Sequence, residues 1–248
     1  MKIEMRNKQV YNIQLFLMRV VSADQSGFTV AEILIAIFIF AVIVTTVFGS
    51  YRATSEQVDI VSRNRQLVEM GRNCLDRMTR DLIAIWVAQP PEYTPPRFNN
   101  PPDLYRIVGT LDSVGDRTTT RLRFTSFAHL PIRPSRSFGV ARIVYYIRPD
   151  ENDQYHLYRA DQLYPYEPFE ADPADPVLCT RVRSFTMMFY DDSGRSYETW
   201  NSESESIDFS TPAAVGIRLE LGDERDTQVF NTRVSLSVRR RAVEARAP

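Results

Sequence analysis

The chain has 248 residues, of which 44% are hydrophobic and 25% are charged, and its formal net charge at pH 7 is −1. This balance gives no sign of a nucleic-acid partner, because such proteins usually carry a clear excess of Lys and Arg. The length suffices for one sizeable core, and one very apolar segment lies near the amino terminus. We therefore expect one globular domain attached to a membrane anchor.

Residues 28–50 form the most apolar segment of the chain. No charged residue occurs from Ile33 to Tyr51, and a helix of this length extends about 28 Å, which is enough to cross the hydrocarbon of a bilayer. Glu32 lies at the edge of this run. A charge in a bilayer costs roughly 2.5 to 3.5 kcal/mol on insertion scales, so we expect its carboxylate to have a partner. Basic residues before the span place the amino terminus in the cytoplasm and the rest of the chain outside it.

The segment from Gly27 to Glu32, with Phe28 and Thr29 after the glycine, resembles the cleavage and methylation site of type IV prepilins and type II secretion pseudopilins. The resemblance implies that residues 1–27 are a leader, that a prepilin peptidase cuts between Gly27 and Phe28, and that the new amino group of Phe28 is N-methylated. This cation would lie one helical turn from Glu32, whose carboxylate, or that of a neighbouring chain, would neutralise it. Translation starting at Met18 would shorten the leader to ten residues.

Two simpler interpretations of the same segment stay open. Residues 28–50 could be a plain single-pass anchor in which Glu32 has no special role. They could also belong to a cleaved secretory signal, with Gly49 before the cut, although a charge at the start of the apolar region and a helix-favouring continuation both fit this poorly.

Residues 51–88 are predicted to continue the membrane helix as an amphipathic segment outside the bilayer. They contain no proline and one glycine, Gly71. Apolar residues recur at helical spacing: Val58, Val61, Val68, Leu75, Met78, Leu82, Ile85 and Trp86. The second half of this helix should dock on a globular domain, whereas the polar stretch 52–64 should face solvent or other subunits.

Residues 89–238 are predicted to form an antiparallel β-rich head. Six prolines between 89 and 102 end the helix. Runs rich in β-branched and aromatic residues follow, separated by turn signals: 104–110, 119–127, 140–148, 155–159, 177–190, 213–221 and 229–238. The predicted fold class is thus α+β, with a long amino-terminal helix packed on the head. The basic residues Arg239 to Arg241 begin a tail, 239–248, that we expect to be solvated and disordered.

Three further stretches, 78–82, 182–194 with Trp200, and 212–219, look like those of the J-type minor pseudopilin of type II secretion systems. Glu32 also speaks against the K-type subunit, which usually lacks this acid. The resemblance implies a pseudopilus subunit in the bacterial inner membrane, with its head in the periplasm. Its partners would be I-type and K-type pseudopilins at the tip, the prepilin peptidase and the inner-membrane secretion platform.

The sequence gives little support for catalysis or for a cofactor. The two histidines, His129 and His156, have no Cys or His cluster around them, and no nucleophile elbow or phosphate loop is present. Two acidic groups, one at Glu167, Glu170, Asp172 and Asp175 and one at Asp191 and Asp192, could offer oxygens to calcium, but their spacing is not that of an ordered calcium loop. We predict no enzyme, no metal and no cofactor.

Cys74 and Cys179 are the two cysteines of the chain. Both lie in apolar stretches, and a periplasmic location would permit a disulfide between helix and sheet. Burial as separate thiols and a disulfide both stay open.

Three functions fit these observations. The first is a minor pseudopilin of the type II secretion pseudopilus tip, the second is a minor pilin of a type IV pilus, and the third is a binding or enzymatic β domain that the helix merely tethers. Dependence on the prepilin peptidase would separate the first two from the third.

Overall fold

The computed structural model describes residues 28–96, 101–130, 139–223 and 226–242, with the side chains of these residues except 53–63. The chain divides into two compact units, Met1–Asp59 and Ile60–Pro248. Helix α1 (Val30–Ile83) contributes residues to both of them. The β-strands all belong to the second unit. A long apolar helix and an antiparallel β-rich head are thus present, which confirms the predicted α+β class.

In the first unit, the part of α1 from Val30 to Arg52 is long and apolar enough to cross a membrane, and none of it is buried against protein. Its hydroxyl side chains are satisfied within the helix. Thr45 Oγ1 donates to the carbonyl of Ala41 at 2.7 Å, and Thr46 Oγ1 donates to that of Val42 at 2.9 Å. Neither hydroxyl therefore exposes an unpaired donor to lipid.

In the second unit, α1 places one apolar face in the core. Leu67, Cys74, Met78 and Leu82 are buried at helical spacing. Met78 and Leu82 belong to the apolar pattern that the sequence shows, whereas its members Val68 and Leu75 are only partly buried. Gly71 lies on the same face, and a Cβ there would come within 2.4 Å of the Phe230 ring. The glycine therefore permits a close approach between the helix and the sheet.

Helix α1 ends at Ile83, five residues earlier than the periodicity of the sequence indicates. The chain leaves the helix to pair with a strand, because Ile85 and Trp86 form a short strand themselves. Ser126 compensates for the lost helical bonds, since its hydroxyl donates to the carbonyls of Asp81 and Ala84. The Asp81 carbonyl is one of those that the end of a helix leaves without an intrahelical partner, and the Ala84 carbonyl also accepts from the Phe127 N–H at 2.9 Å.

The head contains eleven described strands, all in antiparallel pairs. They are β1 (Ile85–Trp86), β2 (Val108–Val114), β3 (Arg117–Ser126), β4 (Ala141–Pro149), β5 (Tyr155–Leu163), β6 (Val177–Cys179), β7 (Val182–Tyr190), β8 (Ser196–Tyr197), β9 (Trp200–Asn201), β10 (Ala214–Gly222) and β11 (Thr227–Ser235). A short 3₁₀ helix (Glu205–Ile207) follows β9.

The strands form two sheets. Sheet A has the order β6-β5-β4-β3-β2-β9, with β1 also paired to β3, and sheet B has the order β11-β10-β7-β8. Alternate residues of both sheets enter one core together with the helix: Leu122 and Phe124 from β3, and Ile217 and Leu219 from β10, are buried. Arg121 and Arg218, which alternate with them, are exposed.

A buried charge cluster fastens the last turn of α1 to sheet A. Asp81 and Arg159 of β5 are both fully buried, and Arg159 Nε lies 2.7 Å from Asp81 Oδ2. The Tyr145 hydroxyl donates to the same carboxylate, and Asp161 Oδ2 accepts from Arg159 Nη1 at 2.6 Å. Burial and the neighbouring Asp81 raise the pKa of Tyr145 well above its usual value. Breaking such a pair typically costs about 3 to 5 kcal/mol, so it fixes the helix on this sheet.

Some strand boundaries differ from those that the sequence predicts. The run 104–110 becomes a strand only at Val108, and the run 177–190 is two strands, β6 and β7, because Arg181 between them has a φ of 54°. The strands β1, β8 and β9 have two residues each and leave no detectable alternation in the sequence.

The expectation of a solvated basic tail is wrong for Arg240. Its side chain is fully buried, and its guanidinium donates to the carbonyls of Phe209 and Ser202 at 2.8 Å and lies 3.1 Å from Glu203 Oε1. It also lies 3.3 Å from the centre of the Tyr93 ring. Five donors of one guanidinium suffice to join several loops of the head. Residues 243–248 lie outside the described part of the chain.

Candidate assembly site at the start of the helix

Thr29 and Glu32 form a reciprocal cap at the start of α1. The Thr29 backbone N–H and hydroxyl each donate to Glu32 Oε2 at 2.9 Å, and the Glu32 N–H donates to Thr29 Oγ1 at 3.3 Å. The first helical backbone bond runs from Ile33 N to Thr29 O at 3.2 Å. This is a capping box, in which a Thr at the N-cap and a Glu three residues later satisfy donors that the helix cannot.

The cap explains why an acid is tolerated at the edge of the apolar span. Both hydrogen bonds to the Glu32 side chain reach Oε2, and Oε1 accepts none from the described residues. The carboxylate is exposed, and it lies in the first turn of the helix, where the helix dipole favours a negative charge. One oxygen therefore stays available for a cation outside the cap.

Phe28 precedes the cap, and its side chain is 84% exposed. Gly27, the predicted residue on the other side of the cut, lies outside the described residues, as does Met18. The cleavage and the N-methylation of Phe28 stay predictions. The Thr-x-x-Glu signature was present in the sequence, and applying the capping rule to it would have found the role of Thr29.

Cys74 of α1 and Cys179 of β6 meet in the core of the second unit. Both are 1% exposed, and their sulfurs are 3.4 Å apart as free thiols. The hydrogen bond between them and their burial raise the pKa of the Cys179 thiol well above its usual value. The structure brings together the two cysteines for which the sequence left both separate thiols and a disulfide open, and the disulfide itself stays a prediction.

The histidines and acidic residues considered for metal binding have other partners. His129 Nδ1 lies 2.7 Å from Asp161, and His156 Nε2 lies 3.2 Å from Asp150. In the acidic loop, Asp175 accepts from the Tyr146 hydroxyl at 2.8 Å.

The second acidic group, Asp191 and Asp192, orders a turn and holds the end of the head. Asp191 accepts from Ser193, Arg195 and Tyr197, and these bonds hold the pKa of its carboxyl well below the usual range. Asp192 pairs with Arg239 at 2.7 Å. In the described part of the chain, no three such side chains converge on one point.

The three stretches that carry the narrower resemblance have clear structural roles. Residues 78–82 supply Met78 and Leu82 to the core and Asp81 to the buried charge cluster. Residues 182–194 form β7 and the turn after it, and 212–219 lead into β10, its partner in sheet B.

Two family models match the chain. The model described as "Prokaryotic N-terminal methylation motif" matches residues 22–48, and the model described as "Type II secretion system (T2SS), protein J" matches residues 49–232. The first match contains the cap and most of the apolar helix, and the second covers most of the chain. A comparison with curated proteins finds no match.

Proposed function

Because the chain belongs to the type II secretion system protein J family and is a minor pseudopilin, we propose that it is a processed subunit at the tip of the pseudopilus. The prepilin peptidase would cut between Gly27 and Phe28, and the amino group of Phe28 would be methylated. The apolar helix would hold the subunit in the inner membrane, with its head in the periplasm. I-type and K-type pseudopilins and the inner-membrane platform would be its partners.

The observation that carries this proposal is the cap at the start of the helix. Glu32 uses one oxygen to start α1 and leaves the other without a partner among the described residues. A carboxylate needed only as a cap would be costly at the edge of a membrane span. A free oxygen beside the new amino terminus can bind the methylated amine of Phe28 of the same or a neighbouring subunit, which would lower that cost.

Nothing in this role requires catalysis. The family is a structural component of the secretion machinery, and the two histidines and the acidic turns are engaged in contacts that shape the head. We propose that the protein acts by binding other subunits rather than by turning over a substrate.

Three variants of the cap separate helix capping from charge pairing. Glu32→Gln keeps a side chain that functions in a capping box but removes the charge. Glu32→Ala removes both. Thr29→Val removes the hydroxyl, at a cost to the helix of about 0.5 to 2 kcal/mol, and keeps the carboxylate.

The measurement is crosslinking of the full-length chain to co-expressed pseudopilins, with cleavage followed in the same cells. Cleavage should persist in all three variants. Loss of the charge would leave the methylated amine of Phe28 without its carboxylate, so crosslinks of Glu32→Gln and Glu32→Ala should fall at least about tenfold. Thr29→Val should crosslink nearly as well as the wild type. Undiminished crosslinks for Glu32→Gln would show that the charge has no part in assembly.

A further inference from the structure

One arginine on the outer face of sheet A has no partner among the described residues. Arg123 of β3 donates no hydrogen bond and forms no ion pair there, although its side chain is partly buried. Burial and the charges of Arg106 and Arg142 lower the pKa of its guanidinium to about 10. No carboxylate of the described residues raises the pKa of Arg123. A partly buried, unpaired cation is unfavourable, and an incoming anion would relieve that cost.

The strand register places Arg123 and Arg142 on one face. Arg123 lies opposite Val108 of β2 and Val144 of β4. Arg142 lies opposite Thr125, two residues further along β3, and is therefore a diagonal neighbour of Arg123. Arg106 lies just before β2, and its charge also acts on Arg123. Arg106 Nη1 donates to the Asp103 carbonyl at 3.2 Å, and Arg142 donates to Gln162 and to the Glu167 carbonyl.

Two exposed aromatic rings border the cations. Trp86 of β1 pairs with Thr125, the next residue of β3 on the face of Arg123. Phe127 follows two residues later. The two residues are 38% and 56% exposed, and the centres of their rings are 5.4 Å apart in an edge-to-face arrangement. We refer to Trp86, Arg106, Arg123, Phe127 and Arg142 as the arginine–aromatic patch.

The composition of this patch is typical of a protein interface. Trp and Arg are the residues that most often dominate binding energy at interface centres. Guanidinium groups bind carboxylates with two parallel hydrogen bonds. Recognition of anionic lipid, by contrast, usually involves clusters of about four to eight basic residues at a surface, whereas only one cation here lacks a partner.

We propose that the arginine–aromatic patch binds another pseudopilin of the same system, with Arg123 pairing with a carboxylate side chain of that partner and Trp86 and Phe127 packing beside it. This rests on the proposed function, because it supplies the contact by which the head would recognise a neighbouring subunit.

Arg121 offers a matched control. It lies two residues before Arg123 on the same strand and face, but it already pairs with Asp112 at 2.5 Å. The full-length chain would carry a photo-crosslinking amino acid in place of Phe127 and would be co-expressed with the other pseudopilins. Arg123→Gln should reduce the pseudopilin crosslink at least about tenfold, and Arg121→Gln should change it by less than about twofold.

The melting temperature of the variant distinguishes a loss of binding from a loss of folding. Because Arg123 is an unpaired cation, Arg123→Gln in the detergent-solubilised full-length chain should melt at the same temperature as the wild type or higher. Arg123→Glu should abolish the crosslink, and a Lys in place of one acidic residue of the partner should restore it.

Several results would overturn the proposal: equal effects of Arg121→Gln and Arg123→Gln, a melting temperature several degrees lower for Arg123→Gln, or crosslinks only to lipid or to a second copy. If the wild type crosslinks to no pseudopilin by any site, the proposed function itself fails. If the wild type crosslinks to a pseudopilin and Arg123→Gln crosslinks equally well, only this inference fails.

Discussion

We predict that Cys74 and Cys179 form a disulfide when the head folds in an oxidising compartment. Their sulfurs are already in contact in the core, 3.4 Å apart, and a disulfide requires about 2.05 Å. The remaining approach is a small side-chain adjustment. The thiols are 105 residues apart in the sequence. A bond between them would therefore close a loop that contains most of the head.

The size of the effect follows from the loop that the bond closes. For a loop of 105 residues, chain entropy gives up to about 4.7 kcal/mol at 25 °C, and measured gains are often smaller. A domain of 150 to 250 residues gains about 2 to 4 °C in melting temperature for each kcal/mol. We therefore expect the oxidised protein to melt up to about 10 to 20 °C above the reduced protein.

The assay compares full-length protein, purified without reductant, before and after addition of dithiothreitol. The wild type should lose melting temperature on reduction. Cys74→Ala, Cys179→Ala and the double variant should not respond, although each also loses a small buried side chain and should melt below the reduced wild type. Reaction of both cysteines with a thiol reagent in the unreduced, denatured wild type would refute the disulfide.

Two further predictions concern processing and the end of the head. The peptidase must accept a residue without a side chain at the cut, so Gly27→Val should leave the precursor uncleaved; mature protein beginning at Phe28 in this variant would contradict the assignment. Arg240→Met leaves acceptors of several loops unpaired, and the cost of about 3 to 5 kcal/mol should lower the melting temperature by roughly 6 to 20 °C. The exposed Arg241 supplies the control, since Arg241→Met should melt within about a degree of the wild type.

The long elements of the fold could be predicted because each has a periodic pattern of its own. Leu67, Cys74, Met78 and Leu82 follow the period of a helix, and the alternation about Leu122 and Phe124 follows that of a strand. The ends of these elements could not be read in this way. Helix α1 ends where Ser126, which is distant in sequence, caps Asp81 and Ala84, and such a contact leaves no local signal.

The start of the helix carries two signals in the sequence. The apolar run and the methylation pattern point to Glu32, and the same six residues contain the capping signature of Thr29 and Glu32. The pairing of Asp81 with Arg159 was partly readable, since Arg159 shares the alternation of the buried Leu157 and therefore points to the core. A charge at a core position requires a partner, but the sequence does not say which one.

Three arginines of the head differ in whether the chain itself supplies acceptors for their guanidinium groups, and this difference bears on their roles. Arg159 and Arg240 are fully buried, and carboxylates or carbonyls of the head accept their hydrogen bonds. The hydrogen bonds of both guanidinium groups are made within one chain, so these two arginines contribute to the stability of the head. Arg123 is partly buried, yet the charges that act on its guanidinium are those of two other arginines. Since the chain meets the cost of burying a guanidinium elsewhere with internal acceptors, a site without one is best explained by an acceptor that another subunit brings.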